Sequence, residues 1–356
     1  MRPLLRLRIV GPLVAALLVT GACTSPTAPT SRASADPKVL PLSAITREVR
    51  AEKFNRDTEP TILGFTGDQM VTVRYGTRST IEVRDVEGGA APTLTRMIRL
   101  GPAPAVVNGR WLAWVEMRVH GMATPRRARI GLLDLESNEL SYVDDTGRLQ
   151  GPTARTLGWT NVAVSSNQLL WALPEKRHGR WQPQLKGCNP SHCRPRVIAH
   201  NAGLPTATGG SACYATNPMG GFSTFVCAGA TSFTIDNGLE PPEFLAVTEP
   251  GGLIGLGGWN DDEAAYQIGP TGARRLLAKA PAGRPFTYLR SAGPRAAWID
   301  DKDAQPGYLV QPGIDDKIYR WGTSREIPYF VLGEKYFVWF STKGDTVTRH
   351  IDEFTD

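Results

Sequence analysis

The sequence predicts an all-β repeat domain, on three observations. Long helical periodicity is absent beyond the first two dozen residues. Short apolar runs rich in Val, Ile, Trp and Tyr recur instead, each bounded by Gly, Asn, Asp or Pro, which are strand and hairpin signals. One such run, often ending in an aromatic, returns at a spacing near 40 residues.

The first residues have a different character. Met1-Arg2-Pro3-Leu4-Leu5-Arg6-Leu7-Arg8 carries three positive charges and no acid, and an apolar run, 9–19, follows. Thr20-Gly21-Ala22-Cys23 then supplies small residues leading to a cysteine. A charged head, a short apolar stretch and a small-residue exit are the parts of a secretory signal. The apolar stretch is about half the ~20 residues that a membrane-spanning helix needs, and Pro12 interrupts it. Val19-Thr20-Gly21-Ala22-Cys23 resembles the lipobox of bacterial lipoproteins. That resemblance implies removal of residues 1–22, acylation of Cys23 and a membrane partner reached through the lipid; the other reading is an ordinary cleaved signal followed by a free cysteine. Residues 24–37 hold no large apolar side chain, so they read as a flexible tether, which leaves residues 38–356 as the exported domain.

Without residues 1–22 the net charge falls from +6 to +3. The basic residues are scattered rather than striped along one element, so nucleic acid is not an expected partner. Arg outnumbers Lys 31 to 9, a bias expected of a high-GC actinobacterial genome.

The recurring strand appears at Met70-Val71-Thr72-Val73, Trp111-Leu112-Ala113-Trp114-Val115 and Leu169-Leu170-Trp171. It returns at Phe222-Ser223-Thr224-Phe225-Val226, Ala264-Ala265-Tyr266, Ala296-Ala297-Trp298-Ile299 and Tyr336-Phe337-Val338-Trp339-Phe340. First residues are separated by 41, 58, 53, 42, 32 and 40 positions. A unit of about 40 residues with four short strands is the period of a β-propeller blade. Seven landmarks predict seven blades, with six and eight as the neighbouring counts. A single four-stranded sheet cannot bury both faces, whereas blades packed around an axis cover one another. Trp114, Trp171, Trp298 and Trp339 are therefore expected between blades. The order "turn, apolar-Trp strand, gap, apolar-Asp-Leu strand, turn", clearest in 108–143, resembles the WD-repeat-like and TolB-type propellers of bacterial envelopes.

With Cys23 reserved for lipid, Cys188, Cys193, Cys213 and Cys227 remain, an even number in an exported chain. Such thiols normally pair. Of three connectivities, Cys188–Cys193 with Cys213–Cys227 closes the shortest loops; a zinc site using Cys188, His192 and Cys193 is the rival, and it lacks a second matching pair.

Catalytic motifs are not visible. No Gly-x-Ser-x-Gly elbow appears, and the glycine-rich 251–258 has neither a following helix nor a Lys-Ser/Thr ending, so it reads as a strand. His120, His178, His192, His200 and His350 fall in no triad legible from spacing, and no motif implies a cofactor or a resident metal. Acidic turns at 260–263 and 300–303 lack the spaced ligands of a calcium loop. Two long segments read as recognition loops: 174–196, with Arg177, Arg180, Trp181, Arg194 and Arg196 around a cysteine pair, and 116–129, with Arg126 and Arg127. On this footing the expected function is a non-catalytic platform for an envelope protein or small ligand. The alternative is an extracellular hydrolase or lyase acting on glycans or peptides, with Asp261, Asp262, Asp300 and Asp301 in a central pocket.

Overall fold

A computed structural model describes residues 39–355, apart from 56–57, 77, 100–104, 119–126, 147–160, 217–223, 228–231, 235–243, 250–251, 260–261, 270–272, 281–285, 301–305, 316 and 323–328. The signal, Cys23 and the tether lie outside the described residues, as do His120, Arg126, Asp261 and Asp301.

The chain from Val39 to Phe354 forms seven antiparallel sheets, so the predicted seven-bladed all-β propeller is what is observed. Blades 1 to 6 each use four consecutive strands, the first nearest the axis. The inner strands are Thr61–Thr66, Ala105–Asn108, Asn161–Val164, Ala202–Thr208, Phe244–Thr248 and Phe286–Ala292, joined by Val331–Leu332 of blade 7. Each inner strand adjoins the next, and the seventh returns to the first, which closes the ring.

Blade 7 is completed by both ends of the chain. Val331–Leu332, Tyr336–Lys343 and Thr346–Phe354 come from the C-terminal side, and Thr46–Phe54 pairs as the outermost strand. That closure joins residues about 300 apart through a full antiparallel ladder, Thr46 opposite Phe354 and Phe54 opposite Val347. Ahead of it, Val39–Pro41 runs parallel to Ile318–Trp321 as a fifth strand on blade 6.

One apolar cluster fills each of the seven interfaces between blades. Trp114, Trp171 and Trp298 are fully buried in these clusters, and Trp339 is half-buried at the edge of the sixth. Two of the indoles lie flat over a glycine on the neighbouring strand. Trp114 faces Gly131 and Trp321 faces Gly307, where a β-carbon would stand 2.3 Å and 2.1 Å from the ring. No side chain larger than hydrogen fits beneath either ring.

Two landmark strands are corrected. The second strands of the seven blades begin at 69, 111, 169, 211, 252, 295 and 336, giving steps of 42, 58, 42, 41, 43 and 41. Phe225 and Tyr266 instead lie on third strands. The true second strands, Ser211–Thr216 and Gly252–Trp259, are diluted by Ala, Cys and Gly, which carry little β signal. The single long step belongs to blade 2.

Antiparallel alternation sends the hairpins between strands two and three, and the connections from one blade to the next, to one face of the disc. The hairpins between strands one and two, and three and four, go to the other. This sorting decides where each predicted site residue lies.

Candidate functional site

Residues 174–196 form no single loop. Leu169–Arg177 and Arg180–Cys188 pair along their whole length as a long hairpin. His178 and Gly179 make its turn with φ of 49° and 78°, the conformation that a two-residue primed turn requires. Pro174 and Pro183 face each other inside the hairpin and mask its alternation in the sequence. Arg177 and Arg180 are cross-strand neighbours at the tip, and Trp181 points to the opposite sheet face. Arg194 and Arg196 follow the other end of the hairpin, roughly 25 Å away at about 3.3 Å per residue. The structure does not bring these five residues together. Arg127 is likewise a strand residue, in Arg127–Asp134, and is ion-paired with Asp145. Arg129 beside it binds both oxygens of Glu116 at 2.8 Å.

The cysteines pair as the short-loop reading expects, Cys188 with Cys193 and Cys213 with Cys227. With both sulfurs of the first pair bonded to each other, the zinc alternative loses its thiolates. Among the described residues no group of three or more His, Cys, Asp or Glu side chains converges as a metal site. Of the four acids expected in a central pocket, Asp300 is buried at the end of Arg295–Asp300, and Asp262 opens the strand Asp262–Ile268. Neither lies on an inner strand.

Two histidines are oriented by carboxylates. His200 Nδ1 lies 2.6 Å from Glu175, whose oxygens also accept from the Gln182 and Gln184 amides at 2.9 and 2.6 Å. Blade 7 holds a longer chain. His350 Nδ1 lies 3.1 Å from Glu48 Oε2, and its Nε2 lies 2.8 Å from Ser341 Oγ. The hydroxyl, imidazole and carboxylate come from the second, third and outermost strands and share one face of the sheet.

Local chemistry fixes this arrangement. The tight turn at Gly344, with φ of 57°, sets the register in which Trp339 lies opposite His350 and Ser341 opposite Thr348. A bulge between Glu48 and Arg50 shifts the outer strand so that Glu48 pairs with Asp352 and reaches back to the imidazole. The imidazole stacks on Trp339 with ring centres 3.9 Å apart and planes within 10°. The indole is held in turn, because its Nε1 donates to Asp352 Oδ2 at 3.0 Å and Thr46 donates to the same oxygen at 3.3 Å. Burial raises the Asp352 pKa above its ordinary value against these two hydrogen bonds and the nearby His350. His350 is largely shielded, at 15% side-chain exposure, while Glu48 stands 56% exposed. Gly322 borders Trp339 and also lines a cavity of about 500 Å³ with Val39, Pro41, Arg320 and Trp321, which no residue of the relay lines.

This constellation is invisible in the sequence. Ser341 and His350 are nine residues apart with no motif between them, and Glu48 is 302 residues from His350. The only local signal is the Thr342-Lys343-Gly344-Asp345 turn, which predicts the hairpin but not the relay.

No family model matches the chain, and no curated protein matches it. Solved structures do. The β-propeller domain of the Trilobed protease from Pyrococcus furiosus, described as having an open Velcro topology, aligns with a TM-score of 0.52 and 10% identity over 83% of this chain and 95% of that one. An oligogalacturonate lyase in complex with manganese aligns at 0.53 and 13%, over 91% and 99%. The acylaminoacyl peptidase of Pyrococcus horikoshii aligns at 0.50 and 10%, over 84% of this chain, which spans about half (52%) of the peptidase. At such identities the likeness establishes the propeller fold. It also corrects the expectation of a non-catalytic platform. That expectation rested on the lack of a catalytic motif, yet these three similar propellers come from a protease, a lyase and a peptidase, so a propeller without a legible motif is no argument against catalysis.

Proposed function

We propose that the chain is an exported hydrolase of the bacterial envelope, a TolB-like propeller anchored through lipid on Cys23, that cleaves acyl bonds in peptides. The carrying observation is the Ser341–His350–Glu48 relay: a nucleophile within hydrogen-bond reach of a base that a third group orients.

The chemistry follows from donors and acceptors. Glu48 accepts from Nδ1–H, which leaves Nε2 as the acceptor for the Ser341 hydroxyl. As Oγ attacks a substrate carbonyl, its proton passes to Nε2, and the imidazolium returns that proton to the leaving amine. Water then repeats the sequence on the acyl-enzyme and releases acid and free Ser341. The stack on Trp339 keeps the ring in plane through both transfers.

The test is labelling of the purified mature protein with a fluorophosphonate, followed by mass mapping, alongside hydrolysis of a p-nitrophenyl acyl ester and of a peptide library. Label on Ser341, and turnover lost by about 10³-fold or more in Ser341→Ala, supports the reading. Glu48→Gln should cost less, because this carboxylate is more than half exposed. Absence of label on Ser341, or turnover unaltered by Ser341→Ala, overturns it. The anchor is tested separately: Cys23→Ser should release the protein from the membrane fraction, and unaltered retention would refute lipidation.

A further inference from the structure

The ring of inner strands is not uniform. Three of its members carry bulges, between Ile62 and Gly64, Gly203 and Thr206, and Thr287 and Arg290. In the last two, a large non-glycine residue takes a left-handed backbone, Leu204 with φ of 49° and Tyr288 with φ of 55°. Such a conformation strains a bulky side chain, and it persists where the surroundings demand it. Both side chains are 42% exposed, although they stand on the innermost strands of a closed ring. Their strands belong to blades 4 and 6, with the inner strand of blade 5 between them, yet they approach within 8 Å, Cα to Cα. The inner strands of blades 4 and 6 thus converge across blade 5, and each carries one of these exposed side chains on its bulge.

Arg290 follows Tyr288 on the same strand. It is accessible to solvent, yet the surrounding protein strips enough water from its guanidinium to lower its pKa, with the Tyr288 phenol partly offsetting that effect. One of its N–H groups donates to the Leu289 carbonyl at 2.9 Å. Among the described residues no carboxylate pairs with it. An arginine offers five N–H donors in a planar fork that fits a carboxylate, and it cannot relieve a poorly solvated charge by losing its proton. A cation in this state is costly until an anion pairs with it.

We propose that the central channel binds a small carboxylate with a ring body, such as an acidic sugar, its carboxylate on Arg290 and its ring against Tyr288 with Leu204 across the channel. This site is separate from the blade-7 relay. It stands on the strained bulges, the approach of the inner strands of blades 4 and 6, and a guanidinium that no carboxylate among the described residues pairs with.

The test is calorimetric titration of the mature protein with glucuronate, with glucose and acetate as probes lacking the charge or the ring. Glucuronate should bind one to one and at least tenfold more tightly than either probe. Arg290→Gln should weaken it tenfold or more at unaltered melting temperature. Tyr288→Asn, which tolerates the left-handed backbone, should weaken it several-fold. Binding to the unaltered protein should also fall as salt rises, a readout that needs no variant. Failure of glucuronate to bind, equal affinity in Arg290→Gln, equal affinity for acetate, or indifference to salt would each overturn the proposal.

Discussion

The Cys213–Cys227 bridge offers the sharpest test of how this propeller is held together. The two cysteines are direct cross-strand partners on Ser211–Thr216 and Thr224–Cys227, and Cys213 is fully buried in the interface between blades 4 and 5. The bridge spans 14 positions, and closing a loop of that size removes about 3 kcal/mol of unfolded-state entropy. Replacing both cysteines by alanine also removes the buried sulfur of Cys213 and the partly buried one of Cys227, worth about 1 kcal/mol and somewhat less on the scale of a methylene. Cys213→Ala/Cys227→Ala should therefore destabilise by about 4–5 kcal/mol and lower the melting temperature by about 10 °C. Urea titration followed by circular dichroism gives the midpoint and slope, and the comparison is Cys188→Ala/Cys193→Ala. That outer bridge spans only 5 positions and should contribute about 2 kcal/mol. A midpoint unmoved by loss of the inner bridge, or a larger loss from the outer one, would refute the reasoning. The first outcome would mean that blade 4 holds its register without the link.

Three further outcomes follow from the geometry. Because the folded Asp352 pKa lies above its ordinary value, the fold favours the neutral acid; that stability is fully present below pH about 4 and is lost as pH rises through the raised folded value. Asp352→Asn keeps an oxygen for Trp339 and Thr46, so its stability relative to the parent should climb between pH 4 and 7 in denaturation titrations; a relative decline would sink the account. Gly131→Ala would press a methyl into the Trp114 ring and should cost about 1–3 kcal/mol. Gly210→Ala, with open space around the added carbon and no left-handed backbone, should be near neutral in the same thermal assay.

The sequence determined the all-β class, the blade number and both disulfides, because each has a local cause. Turn residues punctuate strands, the blade period repeats near 42 positions, and adjacent cysteines close short loops. It misplaced the second strands of blades 4 and 5, because Ala, Cys and Gly dilute Ser211–Thr216 and the glycine-rich Gly252–Trp259 while the following third strands carry the aromatic landmarks, and it failed where prolines and charges disguised the 169–188 hairpin as a loop. The arginines grouped by sequence proximity were separated by that hairpin, since neighbours in a chain part by about 3.3 Å per residue once the chain is extended. Only the tertiary structure decided the candidate sites. Glu48 meets His350 because the N-terminal strand closes blade 7, and Tyr288 and Arg290 share a bulge on the inner strand of blade 6. Both depend on ring closure, a property of the whole disc that no window of sequence contains.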